Sequence, residues 1–170
     1  MRSTRTYLFI ALIVLLTGVA VSAQQTFTDP AVNYSFEVPD GWRQSRKPTT
    51  TDPNVEFVYG DRTAGLMAVR MLSVAKDKQL TEVIDEEAHL RLQISLPGYV
   101  AGKEENFAGY FRGSVFNFEY ANAGKPMIGR YYFLRANPTT VYVLQFRGPK
   151  DGLQRLRNQT DMFARTFKVK

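Results

Sequence analysis

The sequence of 170 residues contains no cysteine and only one histidine, His89. The absence of cysteine excludes disulfides, thiolate nucleophiles and thiolate metal ligands, so the chain must fold on its hydrophobic core alone. A single imidazole excludes metal sites that are built from several histidines. Glycine-rich phosphate loops are also absent, and Gly113-Ser114 lacks the second glycine spacing of a serine-hydrolase nucleophile turn. These absences predict no catalytic residue, no metal site and no cofactor.

Long apolar runs are missing as well, except near the N-terminus. There, a basic leader (residues 1–6) precedes an apolar run (residues 7–16) and a segment of small residues that ends at Ala23. This order is typical of a secretory signal peptide (residues 1–23), and we expect cleavage before Gln24. The alternative is an uncleaved membrane anchor, although the apolar stretch is slightly shorter than the roughly 20 residues of a membrane-spanning helix. We therefore expect export by the general secretory route, to the periplasm or the cell exterior.

The remaining residues have the length of one domain, predicted as a short flexible arm (residues 24–33) and one folded domain (residues 34–170). Strands are predicted where aromatic and β-branched residues dominate, namely at 34–38, 55–59, 66–74, 109–120, 127–135 and 140–147. Short links rich in Gly, Asn and Pro connect the last three strands, which predicts an antiparallel meander. In two segments, 66–74 and 127–134, the residues that point to either face of the strand are mostly apolar, which predicts a sheet that is covered on both faces.

Two amphipathic helices are the predicted covers. The apolar face of the first consists of Val83, Ile84, Ala88 and Leu92, and His89 lies on its polar side. The apolar stripe of the second, near the C-terminus, consists of Leu153, Leu156, Thr160, Phe163 and Phe167. A central antiparallel sheet with helices on both faces is an α/β/α sandwich of the α+β class, and this is the predicted fold.

Charge is distributed unevenly along the chain. Residues 24–107 carry 9 Lys/Arg and 13 Asp/Glu, whereas residues 108–170 carry 11 and 3, a balance of +8. A basic half predicts an anionic partner, such as an acidic protein or a phospholipid surface, and nucleic acid suits an exported protein less well. The plainer interpretation is that these charges are the solvated outer faces of strands and a helix. A polar, basic segment at residues 43–54 is predicted as a loop, and loops commonly carry function. The candidate interaction surface therefore consists of Arg43, Arg46, Lys47, Arg130, Arg135, Arg147, Arg155 and Arg157.

The segment at residues 34–42 reads Tyr-Ser-Phe-Glu-Val-Pro-Asp-Gly-Trp. In it, an alternating strand ends in a Pro-Asp-Gly turn, and Trp42 packs back as a core plug. The block resembles the aromatic-x-apolar-x-Val-Pro-x-Gly-Trp segment that opens domains of the PsbP-like superfamily. The resemblance extends over residues 26–169 through the order of elements and the closing helix. It implies a PsbP-like fold and a non-enzymatic domain with a binding or assembly role, but no photosystem role, because no metal-binding residues match.

The sequence leaves three functions open. The first is an exported, non-catalytic binding or accessory domain whose partner is a protein or a small ligand. The second is a charge-driven module that binds anionic surfaces through the basic C-terminal half. The third is a small hydrolase with two carboxylates, which are paired in space rather than in sequence. A cation site at residues 85–87 is a further option, although three consecutive side chains point in different directions on a helix.

Overall fold

The computed structural model describes residues 25–170, which form an α+β domain with two antiparallel sheets. The α+β class and the antiparallel character predicted from the sequence are thus confirmed. The predicted signal peptide lies outside the described residues and stays a prediction. Across residues 25–170, no helix is both long enough and apolar enough to cross a membrane.

The ten strands fall into a small and a large sheet. They are β1 (Gln25–Thr28), β2 (Tyr34–Val38), β3 (Trp42–Arg46), β4 (Val55–Tyr59), β5 (Asp61–Ser73), β6 (Val100–Ala108), β7 (Arg112–Asn122), β8 (Lys125–Asn137), β9 (Thr140–Pro149) and β10 (Lys168–Val169). The small sheet has the order β1-β2-β10, and the large sheet has the order β3-β4-β5-β9-β8-β7-β6. The predicted meander is confirmed, because β7 pairs with β8 and β8 with β9, both antiparallel.

The helices form two groups. The first helical segment consists of α1 (Leu80–Ile84), a π-helical turn (Asp85–Leu90) and α2 (Arg91–Ser95). The C-terminal helical pair consists of α3 (Lys150–Arg155) and α4 (Arg157–Thr166), which meet at Leu156. The predicted apolar faces of both groups are buried, including Ile84 in the first and Phe163 in the second.

The large sheet has two faces that differ in their cover. The front face, marked by Phe116, Tyr131 and Val143, packs against Val83, Ile84, Ala88 and Leu92 of the first helical segment. The back face, marked by Val115, Tyr132 and Leu144, packs against the C-terminal helical pair and the small sheet together. In β8, residues of both parities are buried between these clusters, as predicted. In β5, only alternate residues are fully buried, so its front face is not covered in the same way.

The turn between β7 and β8 explains the tight hairpin at the centre of the meander. Ala123 and Gly124 both have positive φ angles, 49° and 76°. A two-residue turn with positive φ at both positions matches the twist of the flanking strands. The turn fixes the register that pairs Gly129 with Phe118.

Three segments differ from the sequence-based expectation. Residues 25–28 are not a flexible arm, because β1 pairs with β2 and the buried Phe27 stacks on Phe36 with ring centroids 4.8 Å apart. The predicted loop at residues 43–54 begins as a strand, since β3 pairs with β4 along the edge of the sheet. Residues 100–108 form the full strand β6, with a register irregularity, rather than a lead into the meander.

Of the predictions for His89 and Trp42, the first is wrong and the second is confirmed. His89 is half-buried, with its ring 4.8 Å from that of Phe116, and does not lie on a purely polar side of the helix. Trp42 is a core plug as predicted, because it is buried and lies 5.3 Å from the Phe163 ring. Its Nε1 donates a hydrogen bond to Gln159 Oε1 at 2.7 Å, which satisfies the one polar atom of the indole.

Replacing Gly129 with alanine should lower the free energy of unfolding by about 1–3 kcal/mol, the usual cost of overpacking. A Cβ atom at this position would lie 1.9 Å from the Phe118 ring, so the ring and its contact with Tyr131 would have to move. Urea unfolding of the two proteins measures the difference. The control is Gly124→Asn, where the space is open and asparagine tolerates the positive φ. Equal stability of G129A and the parent protein would contradict this packing.

Candidate functional site

The front face of strands β3, β5 and β9, together with the adjoining α2, carries a group of arginines. In one row across the sheet, Arg43 pairs with Val58, Val58 with Leu66, and Leu66 with Arg147. The strand register therefore brings together two arginines that are far apart in sequence. We call the group the arginine face, and it consists of Arg43, Arg46, Arg62, Arg70, Arg91 and Arg147.

Four of these arginines share two glutamates. Glu56 contacts Arg62 at 2.6 Å and Arg46 at 3.9 Å, and Arg46 also pairs with Asp52. Glu87 accepts hydrogen bonds from Arg70 at 2.7 Å and from Arg91 at 2.6 Å. Asp52 balances the charge around Glu56, whereas the two guanidinium groups on Glu87 leave one positive charge in excess. Such pairs near the surface are individually weak.

Arg43 and Arg147 complete the arginine face without a carboxylate partner among residues 25–170. Arg43 Nε donates to the carbonyl oxygen of Gly60 at 3.3 Å. The pKa of Asp61 is lowered first by hydrogen bonds from Thr63 and the Ala64 backbone in its own turn and only last by the charge of Arg43, with which it forms no ion pair. The arginine face therefore has six guanidinium groups, of which two are not neutralised by an ion pair.

Arg147 is the best-held cation of the arginine face. Its Nε donates to Tyr131 Oη at 2.5 Å, and its guanidinium carbon lies 5.4 Å from the centroid of the Tyr131 ring. Burial raises the pKa of Tyr131 to about 12, and the positive charge of Arg147 opposes that rise, so the phenol is neutral at ordinary pH. The terminal nitrogens of Arg147 make no hydrogen bond with the described part of the chain, which leaves these donors available to an anion.

A cleft of about 580 Å³ lies beside α2, and Arg70, Arg91 and Arg147 line it together with Ile94. We call it the Arg147 cleft. Ile94 is 87% exposed, and Leu90, one turn earlier, is 59% exposed. At 3.6 residues per turn both residues would stand at the edge of the buried helix face, but the π-helical turn between α1 and α2 changes the angular positions of residues on this helix. The Arg147 cleft thus combines guanidinium donors with an exposed apolar rim.

The remaining predicted residues do not join the arginine face. Arg130 is only 8% exposed and is bonded within the back face. Arg155 and Arg157 are exposed on the C-terminal helical pair, which packs on the back face. Arg135 lies at the other end of the front face, and Lys47 is exposed just beyond β3. The structure brings together Arg43, Arg46 and Arg147 from the predicted set.

Sequence reasoning missed Arg62, Arg70 and Arg91. Arg70 could have been found from the alternation along β5. Met67 and Val69 point to the buried back face, so Arg70, at the next position, points to the front face. Arg62 and Arg91 carry no such signal. Their positions follow from Glu56 and Glu87, which only the folded chain brings within reach.

The three acidic residues 85–87 contact different side chains. Asp85 lies 3.7 Å from His89, Glu86 pairs with Lys78, and Glu87 binds two arginines of the arginine face. Their carboxylates therefore stabilise the first helical segment and its contact with the sheet. Within the described residues, no group of three or more histidine, aspartate or glutamate side chains is placed to hold a metal ion.

Comparison with known proteins identifies the fold. No family model matches the chain, and no curated protein matches it. Among solved structures, LpqN, involved in cell envelope biogenesis of Mycobacterium tuberculosis, has a TM-score of 0.57 and 15% identity over 88% of this chain and 87% of LpqN. The cyanobacterial PsbP (CyanoP) of Synechocystis has a TM-score of 0.55 and 17% identity over 90% of this chain and 96% of its own.

A protein from Bacteroides thetaiotaomicron is also similar, with a TM-score of 0.59 and 12% identity over 86% of this chain. The chain spans about half of that protein, 48% of its length. Identities this low establish the fold alone. The chain has a PsbP-like fold, which confirms the resemblance seen in its opening block.

Proposed function

We propose that this PsbP-like chain is an exported, non-catalytic accessory domain that binds an acidic protein partner through the arginine face. In this proposal the layered α/β/α arrangement serves as a rigid platform, and no residue is assigned a catalytic role. The observation that carries the proposal is Arg147, a cation fixed by Tyr131 whose terminal nitrogens have no partner in the described chain. The involvement of the structurally similar LpqN in cell envelope biogenesis is consistent with an accessory role for an exported domain.

The chemistry of the arginine face favours carboxylates. Guanidinium groups bind carboxylates with two parallel hydrogen bonds, which gives both strength and orientation. Arg43 and Arg147 stand in one row of the sheet, separated by three strand spacings, or about 14 Å. Two acidic side chains on an extended segment can span that distance. The exposed Leu90 and Ile94 next to Arg91 would contact apolar residues of the same partner.

The alternative of a charge-driven module in the C-terminal half is less well supported. The cations that the sequence grouped there lie on both sides of the sheet, with Arg147 in front and Arg155 and Arg157 behind. Arg130 is engaged in a buried network and is not accessible to a surface. A hydrolase with two carboxylates is also less well supported, because Glu56 and Glu87 are each engaged by two arginines.

The test is binding of the purified protein to immobilised polyglutamate and, separately, to vesicles that contain phosphatidylglycerol. We expect binding to polyglutamate at about 0.05 M salt and release at about 0.5 M salt, where screening is nearly complete over the distances involved. The double variant R43Q/R147Q removes two cations without leaving any carboxylate unpaired, and it should weaken binding on the order of tenfold or more. The matched control R155Q/R157Q, on the other side of the sheet, should bind as the parent does.

Other results of this binding test would favour a different surface or a different partner. A loss of binding in R155Q/R157Q that equals the loss in R43Q/R147Q would favour the basic C-terminal half. Binding to the vesicles alone would replace the acidic protein by a membrane surface as the partner. Failure to bind either probe at low salt would overturn the proposal.

A further inference from the structure

A second and larger cleft, of about 840 Å³, lies at the opposite end of the first helical segment. We call it the Ser114 cleft. Its walls are the loop that leads into α1 and the neighbouring ends of β6, β7 and β8, and it is lined by Lys76, Thr81, Glu104, Asn106, Arg112, Ser114 and Arg135, among others. The volume is that of an ordinary small-molecule site.

Two arginines stand side by side at the mouth of the Ser114 cleft. The pairing of β7 with β8 ends at Gly113 and Leu134, so the next residues along the two strands, Arg112 and Arg135, stand side by side on the front face, where both line the cleft. Residues opposite each other on neighbouring strands are about 5 Å apart, and like charges in such a pair destabilise a sheet. Neither arginine has a carboxylate partner within the described residues. An anion bound between them would remove that repulsion.

Arg135 is already fixed in position. Its guanidinium donates to the carbonyl oxygen of Lys78 at 2.7 Å and to that of Pro138 at 3.0 Å. Carbonyl oxygens orient the group without neutralising its charge. Arg112 is exposed and makes no hydrogen bond with the described chain, so it can close on a ligand. Arg135 is therefore held in position before a ligand binds, whereas Arg112 can move toward the ligand.

Ser114 adds a polar group that has no structural role in the described chain. The residue is 6% exposed and lines the cleft, yet its hydroxyl makes no hydrogen bond with any residue between 25 and 170. The Ser114 oxygen is not one of the enclosed, unpartnered polar atoms of the described chain, so the hydroxyl is open to the cleft and available to a ligand. Ser114 stands two residues from Arg112 along β7, or about 7 Å deeper along the strand. Asn106 pairs with Ser114 across the sheet, and Glu104 lies beyond it.

We propose that the Ser114 cleft binds a small polyhydroxylated carboxylic acid, that is, a sugar acid. The carboxylate would sit between Arg112 and Arg135, and ring hydroxyls would hydrogen-bond to Ser114 and Asn106. Glu104 in the same cleft accepts hydrogen bonds from hydroxyls and repels a second negative charge, which favours a singly charged, hydroxyl-rich ligand over a phosphate ester. The proposal concerns a different cleft from the arginine face and does not depend on it.

The experiment is titration calorimetry of the purified protein with D-glucuronate, D-glucose and acetate. Glucose has the ring without the charge, and acetate has the charge without the ring. We expect glucuronate to bind about tenfold or more tightly than either control compound. In R112Q the affinity for glucuronate should fall on the order of tenfold, the effect of losing a charge-assisted hydrogen bond, and in S114A it should fall a few-fold. R155Q, far from the cleft, should bind as the parent does.

Three outcomes would overturn the proposal. They are equal binding of acetate and glucuronate, equal binding of glucose and glucuronate, and an affinity for glucuronate that R112Q leaves unchanged. Thermal unfolding of each variant is measured in parallel. Because Arg112 is exposed and without partners, and because its replacement relieves the repulsion with Arg135, R112Q should unfold at or slightly above the temperature of the parent protein, so a loss of binding in that variant reports on the cleft.

Discussion

Replacing Phe163 with alanine should lower the free energy of unfolding by about 4 kcal/mol, near the upper end for a single core substitution. The Phe163 ring is fully buried, with 0% exposure. Its centroid lies 5.3 Å from Trp42, 5.5 Å from Phe36 and 5.5 Å from Phe146. The ring therefore joins α4 to both sheets, and the surrounding aromatic rings are too rigid to fill the cavity that its removal would create.

Urea unfolding measures this effect, with Tyr110→Ala as the matched control. Tyr110 is also aromatic, but it is 61% exposed, so its removal should change stability by about 0.5 kcal/mol or less. If F163A lost no more stability than Y110A, the back cluster would not be organised around Phe163. A parallel measurement by thermal unfolding checks that both variants still unfold in one transition.

The C-terminal helix shows how much of the fold was predictable. Leu156, Thr160 and Phe163 follow one another at steps of four and three residues, a spacing that places them on one side of a helix. All three are buried as expected. Local periodicity determines such an element, because the buried face depends only on the helix geometry and on the presence of an apolar layer below it.

The edge strands were not predictable in the same way. Residues 43–46 are polar at nearly every position, as is common for a strand at the edge of a sheet, so no alternation marks them. The N-terminal strand β1 depends on a partner that comes later in the chain, and Phe27 becomes buried only by packing on Phe36 and Phe57. Sequence patterns report which face of an element is buried but not which elements lie side by side.

The same limit applies to the candidate site. The sequence identified Arg43 and Arg147 as interaction residues, but only the strand order places them in one row. It also grouped Arg130 with them, although Arg130 has the parity of Tyr132 and Leu134, which face the back of the sheet. The alternation along β8 could have assigned Arg130 to the back face. It did not, because both faces of β8 are apolar and neither could be recognised as the exposed one.

The front face is divided by the first helical segment into two clefts of different chemistry. The Arg147 cleft is rich in guanidinium groups and has an apolar rim at Ile94, which suits a peptide segment. The Ser114 cleft combines two arginines with hydroxyl and amide groups, which suits a small polar acid. In the two proposals, the first helical segment thus separates a surface for a macromolecule from a site for a small ligand.

Arg130→Met should lower the free energy of unfolding by about 3 kcal/mol, because it leaves the half-buried Asp161 without its cation. Arg130 donates to Tyr132 at 2.6 Å, to Asn117 at 2.8 Å and to Asp161 at 2.9 Å. Burial opposes the charge on Arg130, but Tyr132 and Asp161 outweigh it and raise the pKa of the guanidinium. The network ties α4 to β7 and β8 on the back face.

The matched control is Arg157→Met, which removes an exposed arginine whose ion pair with Glu105 spans 3.8 Å. Exposed pairs of this kind contribute little, so R157M should cost about 0.5 kcal/mol or less. A double-mutant cycle with D161N isolates the Arg130–Asp161 interaction, and we expect a coupling energy of about 1–3 kcal/mol. If R130M and R157M were equally stable, or the coupling were zero, Arg130 would not be a structural residue and would return to the set of surface cations available to a partner.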